Sequence, residues 1–463
     1  MKKLFFYAAC MMQSAAFVAN AQNPIVQTGF TTDPAPMVSG DRLYVFTGHD
    51  EAGADFFWMN DWRMFSTADM VNWTDHGCPL SLCDFTWADD RAWAPQCIER
   101  NGKFYFYVPA HSKISGGMAI GVAVSDNITG PYRDPLGKPL YEDGKWDHID
   151  PTVMIDTDNQ VYLYWGNPKL YSVKLNEDMI SFASEVENVK PERYVEGPWI
   201  FHQRALTKAE KKDKKRFDSS KTSAWGKYFM IYAAGGVPEC IAYSESDSPT
   251  GPWTYVGEVM KQDNATNSFT NHSGIVEFKG HNYFFYHTGW LPGGGGFGRS
   301  VSVQEFEWQK DGRLPLIAPT KEGVNPIGTL SPYARIEAET IAYSQGLRTE
   351  WNNKQNKVFV SDIHNGDWLK LREVEFGEKG AKSISLSAAS ALQGGNVELH
   401  LDSVKGKKIA TVAVSPTGGW EEWKTFKASI EGSVTGKHDL YFVFTGYKGC
   451  KLMNFDYWQM IEK

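Results

Sequence analysis

Beyond its first 21 residues the 463-residue chain has no run approaching the ~20 consecutive apolar residues that a membrane span needs, so no later span is expected. Cysteine is scarce, 6 in all, and the five beyond Cys10 (Cys78, Cys83, Cys97, Cys240 and Cys450) are odd in number and scattered. This excludes a disulfide scaffold and any zinc spacing; Cys78 with Cys83 could close a small loop, and the set reads mainly as small buried hydrophobes. Net positive charge is absent as well: the formal charge is −8, and −10 once Lys2 and Lys3 leave with a cleaved leader. Such a balance argues against nucleic acid or an anionic membrane as partner and suits a neutral ligand. No Lys-Ser/Thr or helix signal follows Gly293-Gly-Gly-Gly296, so that run reads as a loop and not a phosphate cradle. The mixed, mainly basic run 208–216 reads as a solvated surface loop.

What is present begins with Met1-Lys2-Lys3, a short apolar stretch and Ala19-Asn20-Ala21, the pattern of a secretory signal peptide over residues 1–21. A lipid anchor on Cys10 is the weaker alternative, because the apolar run before it is short. The mature protein is expected to be exported, periplasmic or extracellular, and monomeric. Aromatic residues make up 14%, with 17 Trp, a composition suited both to β-sheet cores and to flat sugar faces.

One phrase recurs: a turn with Gly or Asn, then alternating aromatic and β-branched residues. It stands at Gly40–Phe46, Asn101–Tyr107, Asp158–Tyr164, Gly226–Tyr232 and Gly280–Tyr286. A period of this size points to a repeat architecture, read as an all-β, five-bladed β-propeller over residues 22–325. Thr129-Gly-Pro-Tyr132 and Thr250-Gly-Pro-Trp253 look like equivalent corners. After the prolines at 315, 319, 326 and 332, residues 334–463 hold short alternating strands, the pattern of a β-sandwich (jelly-roll) module.

Three acids in the first domain share a context. Asp33 (Thr32-Asp33-Pro34) precedes the first repeated strand, Asp150 (Ile149-Asp150-Pro151) the third, and Glu196 lies in Tyr194-Val-Glu196-Gly-Pro-Trp199. A following Pro is expected to hold the chain extended and leave the acid at a strand start. Alone, each Asp-Pro is an ordinary turn. One per blade, converging on a central channel, they would form a paired-carboxyl site.

Asp33-Pro-Ala-Pro-Met37, His148-Ile-Asp150-Pro151 and Val195-Glu196-Gly-Pro198, with Asp61–His76 and Ala92-Trp93-Ala-Pro95-Gln96, resemble glycoside hydrolase family 43 over roughly residues 24–320. The resemblance implies a five-bladed propeller in which Asp33 is the general base, Glu196 the general acid, and Asp150 the acid that orients Glu196 and raises its pKa. It implies hydrolysis with inversion, for which the two working carboxyls stand about 6.5–9.5 Å apart. By the same resemblance Trp93 and Trp58 (or Phe57) would carry a sugar ring, Arg299 and Asn167 would bind hydroxyls beside Tyr171, and His272 would lie at a central calcium or water-linked cation. The second domain resembles a family 6 carbohydrate-binding module through Ile336-Glu337-Ala-Glu339, Asn365-Gly-Asp-Trp368, Thr417-Gly-Gly-Trp420 and Asn454-Phe-Asp456-Tyr-Trp458. That implies a structural calcium on Glu337 or Glu339 with Asp456, and a sugar cleft from Trp420, Asn454 and Trp351. Lys357-Val-Phe-Val360 departs from the Gly-rich turn usual there. The expected activity is release of α-L-arabinofuranosyl groups from arabinoxylan or a related plant polysaccharide, with no cofactor required for the chemistry. The alternatives are β-xylosidase or arabinanase activity, or a non-catalytic polysaccharide-binding protein.

Overall fold

A computed structural model describes residues 22–352, 355 and 357–463; the expected signal peptide and Cys10 lie outside the described residues. Strands and turns dominate, and the described residues hold no α-helix, only the 3₁₀ turns Leu82–Asp84 and Glu210–Lys212. No described helix is long and apolar enough to cross a membrane. The five described cysteines are all free.

Two compact units emerge. One comprises Phe30–Phe65 and Cys78–Pro319; the other takes Ser66–Gly77 and Thr320–Lys463, together with the described residues up to Gly29.

In the first unit the described residues form five antiparallel sheets. Each repeated phrase of the sequence is a turn and the strand after it. In four sheets that turn closes a hairpin: Thr32–Ser39 with Arg42–Gly48, Gln96–Arg100 with Lys103–Ser112, Thr152–Ile155 with Val161–Trp165, and Ser273–Phe278 with His281–Thr288. In the remaining sheet the paired strands Tyr194–His202 and Tyr228–Gly235 are separated by a long connection, and Glu239–Ser246 and Thr254–Met260 complete it. The first-named strands touch in series. Thr32–Ser39 touches Gln96–Arg100 and Ser273–Phe278, while Thr152–Ile155 and Tyr194–His202 touch each other and bridge the remaining neighbours. Large rings fill the spaces between sheets, among them the fully buried Phe46, Trp62, Phe106, Tyr164, Trp165, Tyr232 and Tyr286. Burying such rings is the main driving term of this architecture.

The second unit is a sandwich of two antiparallel sheets. One runs in the order Arg348–Asn352, Lys357–Ile363, Met453–Glu462, Ala381–Ala389, Lys424–Ser429; the other Tyr343–Gln345, Trp368–Glu375, Lys437–Thr445, Gly395–Leu401, Lys408–Val414. Period-two alternation places Val397, Leu399 and Leu401 inside, against Phe442, Phe455 and Trp458. The segment Ser66–Gly77 belongs to this unit through pairing: Thr74 and Trp73 pair with Thr340 and Ile341, and the Asn72 amide exchanges hydrogen bonds with the backbone of Arg372.

Candidate active site

Antiparallel pairing puts the start of a sheet's first strand beside the end of its second. Thr32 pairs with Gly48, Thr152 with Tyr164 and Ser273 with Tyr286. Asp150 and His272, just before their first strands, and Asp50, Asn167 and His287, at or just past the ends of the second strands, therefore collect at one rim with Asp33, the second residue of its strand.

The backbone there differs from the extended form expected from the Asp-Pro pairs. Asp33 has φ +50° and Asp150 φ +56°, both in the left-handed region. Proline disfavours right-handed helical geometry at the residue before it, and Asp is among the few side chains that tolerate the left-handed alternative. Register shifts between Thr32 and Ala35 and on both sides of Glu196 mark bulges, which re-aim the acids out of the strand pleat. Gly197 (φ +59°) follows Glu196, and a Cβ there would come within 3.0 Å of the His272 ring, so glycine is required by both backbone and space.

A cavity of about 230 Å³ is lined by Asp33, Asp150, Glu196, Asn167, Asn271, His272 and Arg299, with Phe56, Phe57 and Trp93 as its aromatic wall. Trp93 is fixed by donating Nε1–H to Phe57 O at 2.9 Å, and the Arg299 guanidinium lies 4.9 Å over the Phe57 ring. Trp58 is 42% exposed and is absent from this lining; it lies beside Phe56 with Arg91 over its ring. Tyr171 is also outside the lining, donating its hydroxyl to Asp147.

The charges divide into two groups. Burial alone would raise the Asp33 carboxyl. The Arg299 guanidinium at 3.3 Å leads the groups that overcome that and hold Asp33 far below the usual carboxylate range; the His287 and His272 rings stand 3.2 and 4.0 Å from the same oxygen. His287 is fully buried; its Nε2 faces the carbonyl of Thr270 at 2.8 Å, so the proton sits there. Arg299 makes a fork–fork pair with Asp50, at 2.9 Å on each side. Its polar face is thus turned to carboxylates, where the sequence suggested a hydroxyl ligand.

Asp150 and Glu196 go the other way. Burial first, then the charges of Glu196 and Asp33, push Asp150 well above the carboxylate range; its Oδ2 accepts the Gly197 N–H at 2.9 Å. Glu196 is raised by burial and by Asp33, against the opposing hydrogen bond donated by the Asn167 amide and the charge of Arg299. Both carboxyls of this adjacent pair are thus pushed in the same direction, toward holding their protons more tightly than a free carboxyl does. A fourth acid, Glu239, is also buried; burial and then Glu196 push it to about 9, although its Oε2 accepts the Asn271 N–H at 2.8 Å. The Asn271 Oδ1 is buried without a hydrogen-bond partner. Burial lowers His272 to about 4, leaving it neutral. A carboxyl held far down beside two buried carboxyls pushed up, with aromatic rings at hand, is the equipment of general acid–base glycosidic cleavage.

Residues 21–205 and 222–314 match the family model described as Glycosyl hydrolases family 43, and residues 337–462 match Carbohydrate binding module (family 6). The chain belongs to glycoside hydrolase family 43. This family 43 glycoside hydrolase is 32% identical to an arabinoxylan arabinofuranohydrolase of Bacillus subtilis (strain 168), over 99% of this chain and 95% of the relative. It is 31% identical to one from Paenibacillus polymyxa, over 96% and 75%. Among solved structures, a family 43 arabinoxylan arabinofuranohydrolase from Bacillus subtilis, in complex with cellotetraose, aligns with TM-score 0.81 and 28% identity over 96% of this chain and 98% of that one. A family 43 β-xylosidase/α-arabinofuranosidase from a compost metagenome, with xylotriose in a calcium-free form, aligns with TM-score 0.54 and 27% identity over 64% and 97%.

No group of three or more His, Cys, Asp or Glu that could hold a metal occurs among the described residues. At the module, Glu337 pairs with Arg335 at 2.7 Å, while Glu339 and Asp456 are buried, each with one carboxylate oxygen lacking a hydrogen-bond partner. Two such orphaned oxygens suit a hard cation. The Lys357 ammonium lies 2.7 Å from the other Asp456 oxygen. Asn454 reaches Trp420 through its backbone, donating to the carbonyl at 2.8 Å, and the Lys451 ammonium lies 4.7 Å over the Trp420 ring. Trp351 packs on Gly77, where any Cβ would collide with its ring.

The sequence reading did not pick out Asp50, Glu239, Asn271 and His287. For Asp50 and His287 a signal existed: both stand at the end of a second strand, the rim position that already holds Asn167.

Proposed function

We propose that the protein removes α-L-arabinofuranosyl side groups from arabinoxylan or a closely related plant polysaccharide, with inversion of configuration. Asp33 is the general base that activates water, Glu196 the general acid that protonates the leaving oxygen, and Asp150 the neighbour that keeps the proton on the pair. The observation that carries this reading is the opposite poise of three acids lining one cavity: Arg299 beside Asp33 holds that carboxyl far below the usual range, while burial pushes Asp150 and Glu196 up. The near-full-length likeness to arabinoxylan arabinofuranohydrolases supports the substrate class. The small cavity, under the ~300 Å³ at which ligand pockets usually begin, supports removal of a single terminal sugar.

The five sheets are taken as the blades of a closed propeller, supported by the serial touching of their first strands. Phe57 and Trp93 carry the sugar ring. Glu339 and Asp456 are the residues of this chain that would hold a structural calcium in the module, where it would supply charge balance and no catalytic step; Trp420 and Asn454 form the module's sugar cleft. Export as a monomer, after removal of residues 1–21, completes the reading.

Proton NMR of the first-formed anomer, on arabinoxylan and on aryl arabinofuranoside and aryl xyloside, tests the assignment. Inverted arabinose release is expected, and Glu196→Gln should lower turnover by orders of magnitude while polysaccharide binding persists. Retained configuration, or an unchanged rate in that variant, overturns it.

A further inference from the structure

The family match passes over residues 206–221, and this same segment forms one wall of a second, larger cavity of about 920 Å³. It opens where the strand Tyr194–His202 ends. Glu196 lies near the start of that strand and His202 at its end, six residues or about 20 Å along the extended chain, so the two cavities are separate.

The lining has two properties that together narrow its ligand. Four aromatic rings contribute: Phe201 lies 5.8 Å from Trp308, Phe217 lies 5.8 Å from Trp225, and the two indoles are 6.5 Å apart. All four are partly exposed. The indoles are fixed in place, since Trp225 donates Nε1–H to Lys310 O at 2.9 Å and Trp308 to Asn282 Oδ1 at 3.0 Å. Arg204, stacked 5.2 Å over Trp225, is locked by both oxygens of Glu210, which also accepts the Thr207 N–H. Such a wall is ordered before any ligand arrives, which lowers the entropic cost of binding.

The second property is charge parity. Four lysines and arginines and four carboxylates line the cavity. Lys215, Arg216 and Lys310 have no carboxylate partner within ion-pair distance among the described residues, and Glu277 and Glu307 line the same cavity. A polyanion would meet the carboxylates and an apolar ligand would strand the cations. Side chains of both signs beside flat apolar rings match a neutral ligand whose hydroxyls donate and accept and whose C–H faces are apolar.

We propose that this cavity is a second binding site for a neutral oligosaccharide segment, built by the segment 206–221 and acting to hold polysaccharide away from the catalytic cavity. The choice of a glycan as ligand rests on the proposed polysaccharide substrate; the site itself does not. Arm one is isothermal titration of the full-length Glu196→Gln chain with xylotetraose and with soluble arabinoxylan, with and without Phe217→Ala. Loss of one class of sites, or weakening by about tenfold, is expected. Arm two uses the exposed change Lys310→Glu in the otherwise unaltered chain, which keeps the test valid if Phe217→Ala misfolds. Its kcat/KM on an aryl arabinofuranoside should stay within about twofold, while its rate on insoluble arabinoxylan falls severalfold. Unchanged titrations and unchanged polymer rates overturn the proposal, as does retention of the protein on a uronate gel or DNA in preference to neutral glycan. If glycan binding weakens as expected but no arabinoside is cleaved by the parent chain, the site stands and the proposed function falls.

Discussion

Removing the guanidinium that holds Asp33 ionised should expose how strongly the pocket works against that charge. Arg299 Nη1 lies 3.3 Å from Asp33 Oδ1. At an effective dielectric of 20 that separation corresponds to about 5 kcal/mol, an upper bound equivalent to roughly 4 pH units; measured shifts for Asp beside Arg run to about 1–3 units. Deleting Arg299 alone would leave Asp50 buried at 1% exposure without its partner, a defect of about 3–5 kcal/mol. The useful variant is therefore Arg299→Gln with Asp50→Asn, which removes both charges of the pair. With burial no longer opposed, Asp33 should rise, and the base should be ionised only at higher pH. The acid limb of kcat/KM, which reports the free enzyme, should move up by about 1–3 units on an aryl arabinofuranoside. Arg299→Lys keeps a positive charge and should move it less. A folded double variant whose acid limb stays in place, or an Arg299→Lys limb that moves as far, would refute the reasoning.

The opposite limb should answer to Asn167, whose amide donates to Glu196 and favours its ionised form. Asn167→Ala should raise the alkaline limb by about 1–2 units, the worth of one hydrogen bond to a charged group, read from the same pH–rate profile. Glu239, with an ordinary value of 4.5 raised to about 9, keeps its proton in the folded chain after the unfolded chain has lost it. Stability is therefore fully present below about pH 4.5 and is drained as pH rises toward 9, by at most about 1.4 kcal/mol per pH unit. Glu239→Gln should flatten that dependence in calorimetric scans from pH 5 to 8, with little change in activity at pH 7. In the sandwich unit, Asn72→Ala removes two hydrogen bonds to the Arg372 backbone, each 2.9 Å, and should cost about 1–3 kcal/mol by chemical denaturation.

Much of the fold was legible because its signals are local. A turn residue followed by aromatic alternation is a hairpin in any context, and four of the five repeated phrases close one. The phrase at Gly226 marked a strand correctly, but the 25-residue connection before it hid the hairpin's partner and carried the basic run that lines the larger cavity. The module's Val397–Leu401 alternation was equally plain. The Ser66–Gly77 segment was not legible as part of the sandwich unit, because its membership rests on pairing with Thr340–Ile341, more than 260 residues away.

The three acids could be picked out from the chain by their Pro and Gly-Pro neighbours, which restrict the backbone over two or three residues. Their poise could not. Asp33 is held ionised by Arg299, 266 residues away, at a rim it shares with His287, 255 residues from Thr32. Arg299 in turn answers to Asp50, 249 residues distant. Sequence determined alternation, turns and the candidate carboxyls, since these depend on sterics between near neighbours. Tertiary structure alone decided which carboxyl is ionised, because that depends on burial and on Coulomb interactions among groups that only folding brings together.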